Sequence, residues 1–150
     1  MLIGEYDSKI TENNRIALPK KFREELGDQL IVMNGYDGCL IIVNREKFLA
    51  LTKDITEGRF INDSVRDTTR FLIGSAHEVE LDKQGRFVLP QSHLEYAGIK
   101  KCGTFLGLMN WIELWEKEFW EERKEYIGKN ALKISKDLEK SLNDKHENTK

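Results

Sequence analysis

Apolar residues fall in short blocks along this chain, each bounded by turn-forming or charged positions. Ile16-Ala17-Leu18 runs into Pro19, and Phe87-Val88-Leu89 runs into Pro90. Blocks this short, followed by a residue that cannot donate to a ladder, predict strands that end at the proline. Gln29 to Met33 and Cys39 to Val43 predict a hairpin around Asn34-Gly35-Tyr36-Asp37-Gly38; Thr104 to Leu108 and Trp111 to Trp115 predict a second around Met109-Asn110. Lys20 to Leu26 and Gln91 to Ala97 have helical composition, with proline just ahead and Gly27 or Gly98 placed to stop them. Further helices are predicted from near Arg45, from Asn62 or Asp63 as cap through about Ile73 before Gly74, and from near Lys117. In the last of these Phe119, Trp120, Arg123 and Ile127 share one face, and Gly128 is expected to end it. Beyond it Ala131, Ile134, Leu138 and Leu142 can form one amphipathic stripe, and the last eight residues read as disordered.

The blocks repeat. Arg15-Ile16-Ala17-Leu18-Pro19 recurs as Arg86-Phe87-Val88-Leu89-Pro90, 71 positions on, and Leu26-Gly27 as Ala97-Gly98. Leu40-Ile41-Ile42-Val43 corresponds to Ile112-Glu113-Leu114-Trp115 and Phe48 to Trp120, now 72 positions on, so a one-residue loop difference reconciles the copies. The chain's only two prolines stand in register. Internal repeats of this length are supersecondary units that bury little core alone. The organisation read from them is a first unit over 1–56, a helical connector over 57–76, a second unit over 77–128 and a C-terminal helix and tail over 129–150. The physical expectation is an α+β body with pseudo-twofold symmetry that oligomerises through unpaired hairpin edges.

Composition narrows the classes. The 150 residues are 33% charged and 39% apolar, a soluble globular balance, and no stretch approaches the roughly 20 apolar residues of a membrane helix. The start lacks a basic stretch followed by an apolar core, so a cytoplasmic location is expected. Cys39 and Cys102 fit neither a disulfide framework nor a zinc knuckle and read as small core residues. His77 and His93 have no partner at ligand spacing, so no metal and no cofactor is expected. Glu78, Glu80 and Asp82 alternate, which suits a solvated strand face better than acid/base catalysis, since no nucleophile accompanies them. Trp111, Trp115 and Trp120 could stack on single strands but read more readily as core. The net charge of −2 gives the whole chain no electrostatic warrant for nucleic acid, so any basic surface must be local.

One segment supplies it: residues 9–23 hold Lys9, Arg15, Lys20, Lys21 and Arg23 against Glu12 alone, whereas in residues 80–94 Lys83 and Arg86 are balanced by Glu80 and Asp82. The lysines have two readings, a phosphate contact or a solvated helix face.

Glu80-Leu81-Asp82-Lys83-Gln84-Gly85-Arg86-Phe87-Val88-Leu89-Pro90 resembles the signature loop of the MraZ family. Gly4-Glu5-Tyr6, Arg15 to Glu24, Gly35-Tyr36-Asp37-Gly38-Cys39-Leu40 and Ile112 to Trp115 resemble it in order and spacing, over residues 1 to about 127. The resemblance implies tandem AbrB-like (SpoVT-AbrB) swapped-hairpin units with flanking helices in a ring-shaped homo-oligomer. It also implies a cytoplasmic, nucleoid-associated regulator of the cell division and cell wall gene cluster that binds promoter repeats of double-stranded DNA, without a membrane or small-molecule substrate. It favours DNA contact by Arg15, Lys20, Lys21, Lys9, Arg86 and Lys83. AbrB-like folds also serve as antitoxins, so a protein-interaction module gripping a partner through the C-terminal tail is the alternative.

The family pattern Asp-x-x-x-Arg is kept by Asp82 and Arg86 with Gly85, and departs in the first copy to Thr11 and Asn14 ahead of Arg15. Asparagine tolerates the left-handed turn that glycine supplies. A threonine cannot hold a guanidinium as an ion pair, so Arg15 is expected to be freer than Arg86 to meet phosphate.

Overall fold

The computed structural model describes residues 1–147. Residues 1–117 form one compact unit and the chain from 118 onward forms another. The first unit opens with β1 (Ile3–Lys9), β2 (Arg15–Ala17), α1 (Lys20–Leu26), the hairpin β3 (Gln29–Asn34) and β4 (Leu40–Val43), and α2 (Arg45–Thr56). After α3 (Asp63–Leu72) the order recurs as β5 (His77–Glu80), β6 (Arg86–Val88), α4 (Gln91–Ala97), β7 (Cys102–Leu108) and β8 (Ile112–Glu116). α5 (Lys117–Glu147) carries the chain into the second unit.

The class is α+β, with two antiparallel, swapped-hairpin-like sheets and flanking helices. The larger has the order β1-β7-β8-β4-β3-β5, and the smaller is the ribbon β2-β6. Both sheets mix the two halves of the chain. Each hairpin receives its outer strand from the other half, β1 beside β7 and β5 beside β3, while the hairpins meet through β4 and β8. Neither half therefore closes its own sheet, which is how two short strand-rich segments acquire one shared core. Leu2, Ile16, Phe22, Leu30 and Ile42 from the first half are packed with Phe87, Leu89, Phe105 and Leu114 from the second.

Local chemistry sets the element ends. The Asn44 side chain caps α2 by accepting the Lys47 N–H, and Asn62, not Asp63, caps α3 by accepting from Ser64 and Val65. Gly98 ends α4 in the left-handed conformation. Gly128 does not end a helix: α5 runs through it to Glu147. One exposed glycine costs a helix only about 1 kcal/mol against alanine, and helix-forming neighbours on both sides carry the structure across it. The same helix covers residues 143–147, where disorder was expected, and the rest of that expectation lies outside the described residues. β1 was not legible as a strand. Its sequence IGEYDSK is mostly exposed and polar, and pairing with β7 is what extends it.

Trp115 is buried, and the indoles of Trp111 and Trp115 both donate to the Glu113 carboxylate, at 3.1 and 2.9 Å. Cys39 is buried with its thiol donating to the Tyr36 carbonyl. Among the described residues, no group of three or more potential metal ligands occurs, and no helix is long and apolar enough to cross a membrane.

His77 and His93, sixteen positions apart, meet edge to face with ring centroids 5.0 Å apart. Both rings donate to the Ser75 carbonyl, through His77 Nδ1 at 3.1 Å and His93 Nε2 at 2.7 Å. With its proton on Nε2, buried His93 leaves Nδ1 without a hydrogen-bond partner. Burial holds the His93 imidazole below its ordinary value against the opposing Ser75 bond, and the neighbouring His77 adds to the depression. A value lowered in the fold means that the unfolded chain takes up the proton first. The stabilising contribution is thus complete above the unfolded value of about 6.5 and is lost as pH falls below it. Tm followed between about pH 8 and about pH 5 should decline in the wild type, and the decline should flatten in His93→Gln. Equal slopes in the two proteins would refute this assignment.

Candidate nucleic-acid interface

Two loops precede the strands of the ribbon, and the same backbone bond closes each. Thr11 N–H donates to the Arg15 carbonyl at 2.8 Å, and Asp82 N–H donates to the Arg86 carbonyl at 2.8 Å. The turn between needs a positive φ, supplied by Gly85 (φ 77) in the second loop and by Asn13 and Asn14 (φ 67 and 60) in the first. Each loop is then bonded to the strand end of the other half: Leu18 N–H donates to the Gly85 carbonyl at 3.0 Å, and Leu89 N–H to the Asn14 carbonyl at 2.9 Å. The Asn14 side-chain amide also donates to Gln91 at the start of α4.

The ribbon pairs Arg15 with Val88, Ile16 with Phe87 and Ala17 with Arg86. Period-two alternation sends Ile16 and Phe87, both buried, into the core. Arg15, Ala17, Arg86 and Val88 are left on the outer face. The two arginines stand as diagonal neighbours there, roughly 7–8 Å apart at the backbone.

Their surroundings differ. Asp82 Oδ1 accepts the backbone N–H groups of Gln84 and Arg86, at 2.8 and 3.0 Å, and Oδ2 accepts Arg86 Nε at 3.3 Å. The Arg86 N–H first, then that of Gln84 and the Arg86 guanidinium, hold the Asp82 carboxyl below the ordinary carboxylate range. Arg86 is half-buried and tied into its turn. At the matching position Thr11 donates its hydroxyl to the Arg15 carbonyl and offers nothing to the guanidinium. Arg15 is exposed, and among the described residues its side chain forms no ion pair or hydrogen bond.

Lys20 and Lys21 follow directly, exposed in the first turn of α1, where the helix dipole disfavours cations. Both line the shallow groove between β1 and α1 together with Ala17 of the ribbon. The acid beside them, Asp7, is already engaged by Lys117 at 3.4 Å and by the Thr104 hydroxyl at 2.8 Å. Lys9, at the end of β1, and Lys83, in the second loop, are exposed and form no ion pair among the described residues. Arg15, Lys20 and Lys21 thus gather along one continuous stretch, whereas Lys83 and Arg86 belong to the acid-balanced loop.

One residue of the arrangement was not legible from spacing. Arg23, on α1, lays its guanidinium over Gly85 in the loop of the other half, so closely that a Cβ at Gly85 would collide with Nη1. Its Nε is buried without a hydrogen-bond partner. The only signal in the chain was the place of Arg23 in the basic window; its reach across to Gly85 is tertiary.

The family model described as MraZ protein, an antitoxin-like family by the same description, matches residues 1–71 and again 72–145. A protein of Clostridium acetobutylicum named transcriptional regulator MraZ is 42% identical over 133 residues, covering 88% of this chain and 94% of its own. One of Clostridium tetani with the same name is 40% identical, covering 81% and 86%, and one of Finegoldia magna is 36% identical, covering 96% and 98%. The family is a non-enzymatic one. A match across both halves, and relatives this similar over most of their own length, establish that the chain belongs to the MraZ family.

Proposed function

We propose that this protein is a sequence-specific, DNA-binding transcriptional regulator of the cell division and cell wall gene cluster, acting in the cytoplasm at the nucleoid on spaced promoter repeats of double-stranded DNA. The observation that carries the reading is the exposed Arg15 on the outer face of the ribbon, with exposed Lys20 and Lys21 beside it, none of them in an ion pair among the described residues. The relatives' shared name supports the same role. Lys9, Lys83 and Arg86 are weaker contacts in this reading, Arg86 because Asp82 already occupies it. Thr11, Asn14, Asp82 and Gly85 shape the turns, and no metal, cofactor, small-molecule substrate or membrane takes part.

A single acidic chain with one small basic patch grips a duplex weakly. Copies arranged as a ring-shaped homo-oligomer present the patch periodically, and rigid linkage raises overall affinity through effective concentration. Pseudo-twofold symmetry between the units 1–56 and 77–128, joined by the connector 57–76 and followed by the tail 129–150, accounts for the strand order. Exchanging β1–β4 for β5–β8 gives the same order read from the other end.

Titration of duplexes bearing short direct repeats against scrambled ones, over a range of salt, tests the reading. Each phosphate neutralised contributes about 0.9 to the slope of log K against log salt. Arg15→Ala is expected to weaken binding to every duplex and to lower that slope by about one for each engaged subunit. Arg86→Ala should lower Tm and change the slope less than Arg15→Ala does. Equal affinity for repeat and scrambled duplexes, with an unchanged slope in Arg15→Ala, would remove both the specificity and the site.

The exposed apolar residues of α5, Leu132, Leu138 and Leu142 among them, favour the antitoxin-like or adaptor alternative. A stable heterologous complex lost on deleting residues 129–150, with duplex binding absent throughout, would decide for it.

A further inference from the structure

Two surfaces of the first compact unit complement each other and cannot meet within one copy. The first is the turn between α2 and α3. Phe60 is 85% exposed and Ile61 82%, more than any other large apolar side chain among the described residues. The turn is held in shape. Arg66 Nη1 donates to the Phe60 carbonyl at 2.8 Å, the Arg66 guanidinium lies 5.9 Å from the Phe60 ring centroid, and Asn62 N–H donates to the Arg59 carbonyl at 2.9 Å. Two adjacent apolar side chains fixed in water are an interaction surface rather than a frayed loop.

The second is a cleft of about 300 Å³ beside β5, the strand at one end of the large sheet. Gln29, Ile31 and Val79 contribute to its lining, along with Glu78 and Glu80 of β5 and Arg45 at the start of α2. Phe60 lies four residues past the other end of that helix. Twelve helical residues span about 18 Å, so the turn of one copy cannot enter its own cleft. The charges match as well. Exposed Glu57 and Arg59 precede the apolar pair, exposed Glu78, Glu80 and Arg45 border the cleft, and none of the five forms an ion pair among the described residues.

We propose that Phe60 and Ile61 of one copy seat in the β5 cleft of a second copy, with Arg59 against Glu78 and Glu80 and Glu57 toward Arg45. Such a contact uses two different patches and is therefore head-to-tail, the kind that propagates until it closes into a ring. The inference rests on the proposed homo-oligomer and names the contact that builds it.

Native mass measurement at micromolar concentration, with circular dichroism to verify folding, tests it through two surface variants. Phe60→Ser with Ile61→Ser removes the apolar pair and keeps the cleft; Glu78→Arg with Glu80→Arg does the reverse. Each alone should be monomeric, and an equal mixture should stop at a heterodimer, because one intact turn meets one intact cleft and neither end can extend. Arg59→Glu should weaken assembly, and adding Glu80→Arg in the same chain should restore it. A wild-type oligomer left unchanged in either double variant, or a mixture that stays monomeric, overturns the contact and leaves the oligomer standing. A monomeric wild type overturns both.

Discussion

Phe87→Ala should destabilise the protein by about 3–5 kcal/mol, the range for truncating a fully buried phenylalanine. Phe87 is 1% exposed and stands opposite Ile16 in the ribbon, where the apolar residues of both halves converge. Its loss therefore leaves a cavity at the seam that no rearrangement of one half alone can close. A domain of this size is stable by only about 5–15 kcal/mol, so the change removes a large share of the total. Urea or guanidinium unfolding checks it: the midpoint should drop with the slope preserved. The neighbouring Val88→Ala, on the outer face where Val88 is 46% exposed, is the control and should stay within about 0.5 kcal/mol of wild type. On the proposed role of Arg15 in the ribbon, duplex binding by Phe87→Ala should fail at a lower temperature than wild type, and Val88→Ala should not share that failure. A near-neutral Phe87→Ala would show that the two halves are not joined through this core.

Gly107→Ala is expected to cost about 3 kcal/mol, the upper end of the typical range for overpacking. Gly107 of β7 pairs with Gly4 of β1, and a Cβ there would come within 2.6 Å of Leu2 C and Ile3 N. These are backbone atoms, so no side chain can swing aside. β1 itself must move, which pulls fully buried Leu2 from the core and strains the bond from Met109 N–H to the Leu2 carbonyl, 2.7 Å long. Hydrogen exchange separates this from a general loss of stability. Amides of β1 should exchange much faster in Gly107→Ala, while those joining β7 to β8 keep their protection. Protection retained along β1 would mean that the strand does not depend on this close approach.

Particular residues show what could be read along the chain. α1 and α4 begin and end where proline and glycine dictate, because those residues restrict or free the backbone without reference to anything distant. The repeat in Arg15 to Pro19 and Arg86 to Pro90 located both strands of the ribbon for the same reason. The register between hairpins was less legible. Met33 faces Ile41, Ile41 faces Glu113 and Glu113 faces Leu106, so the first hairpin strands correspond at a spacing of 73 and the second at 72. The one-residue difference is therefore a net value: the segment before β7 is longer than its counterpart, and the following turn is shorter. Of the residues proposed to meet DNA, the contrast between Arg15 and Arg86 followed from Thr11 and Asp82, four positions ahead in each copy. Arg23 over Gly85 and the two histidines on the Ser75 carbonyl join residues with no shared spacing.

By itself, the order of residues determined the types of the elements other than β1, the duplication, and which of two equivalent arginines is left without an acid. Each of those follows from interactions within a few positions along the backbone. Only the tertiary structure decided that each hairpin takes its outer strand from the opposite half, that a polar segment becomes β1, and that α5 continues through Gly128. Those outcomes depend on which distant surface covers a strand edge or on the summed preference of a whole helix, quantities that no local pattern contains.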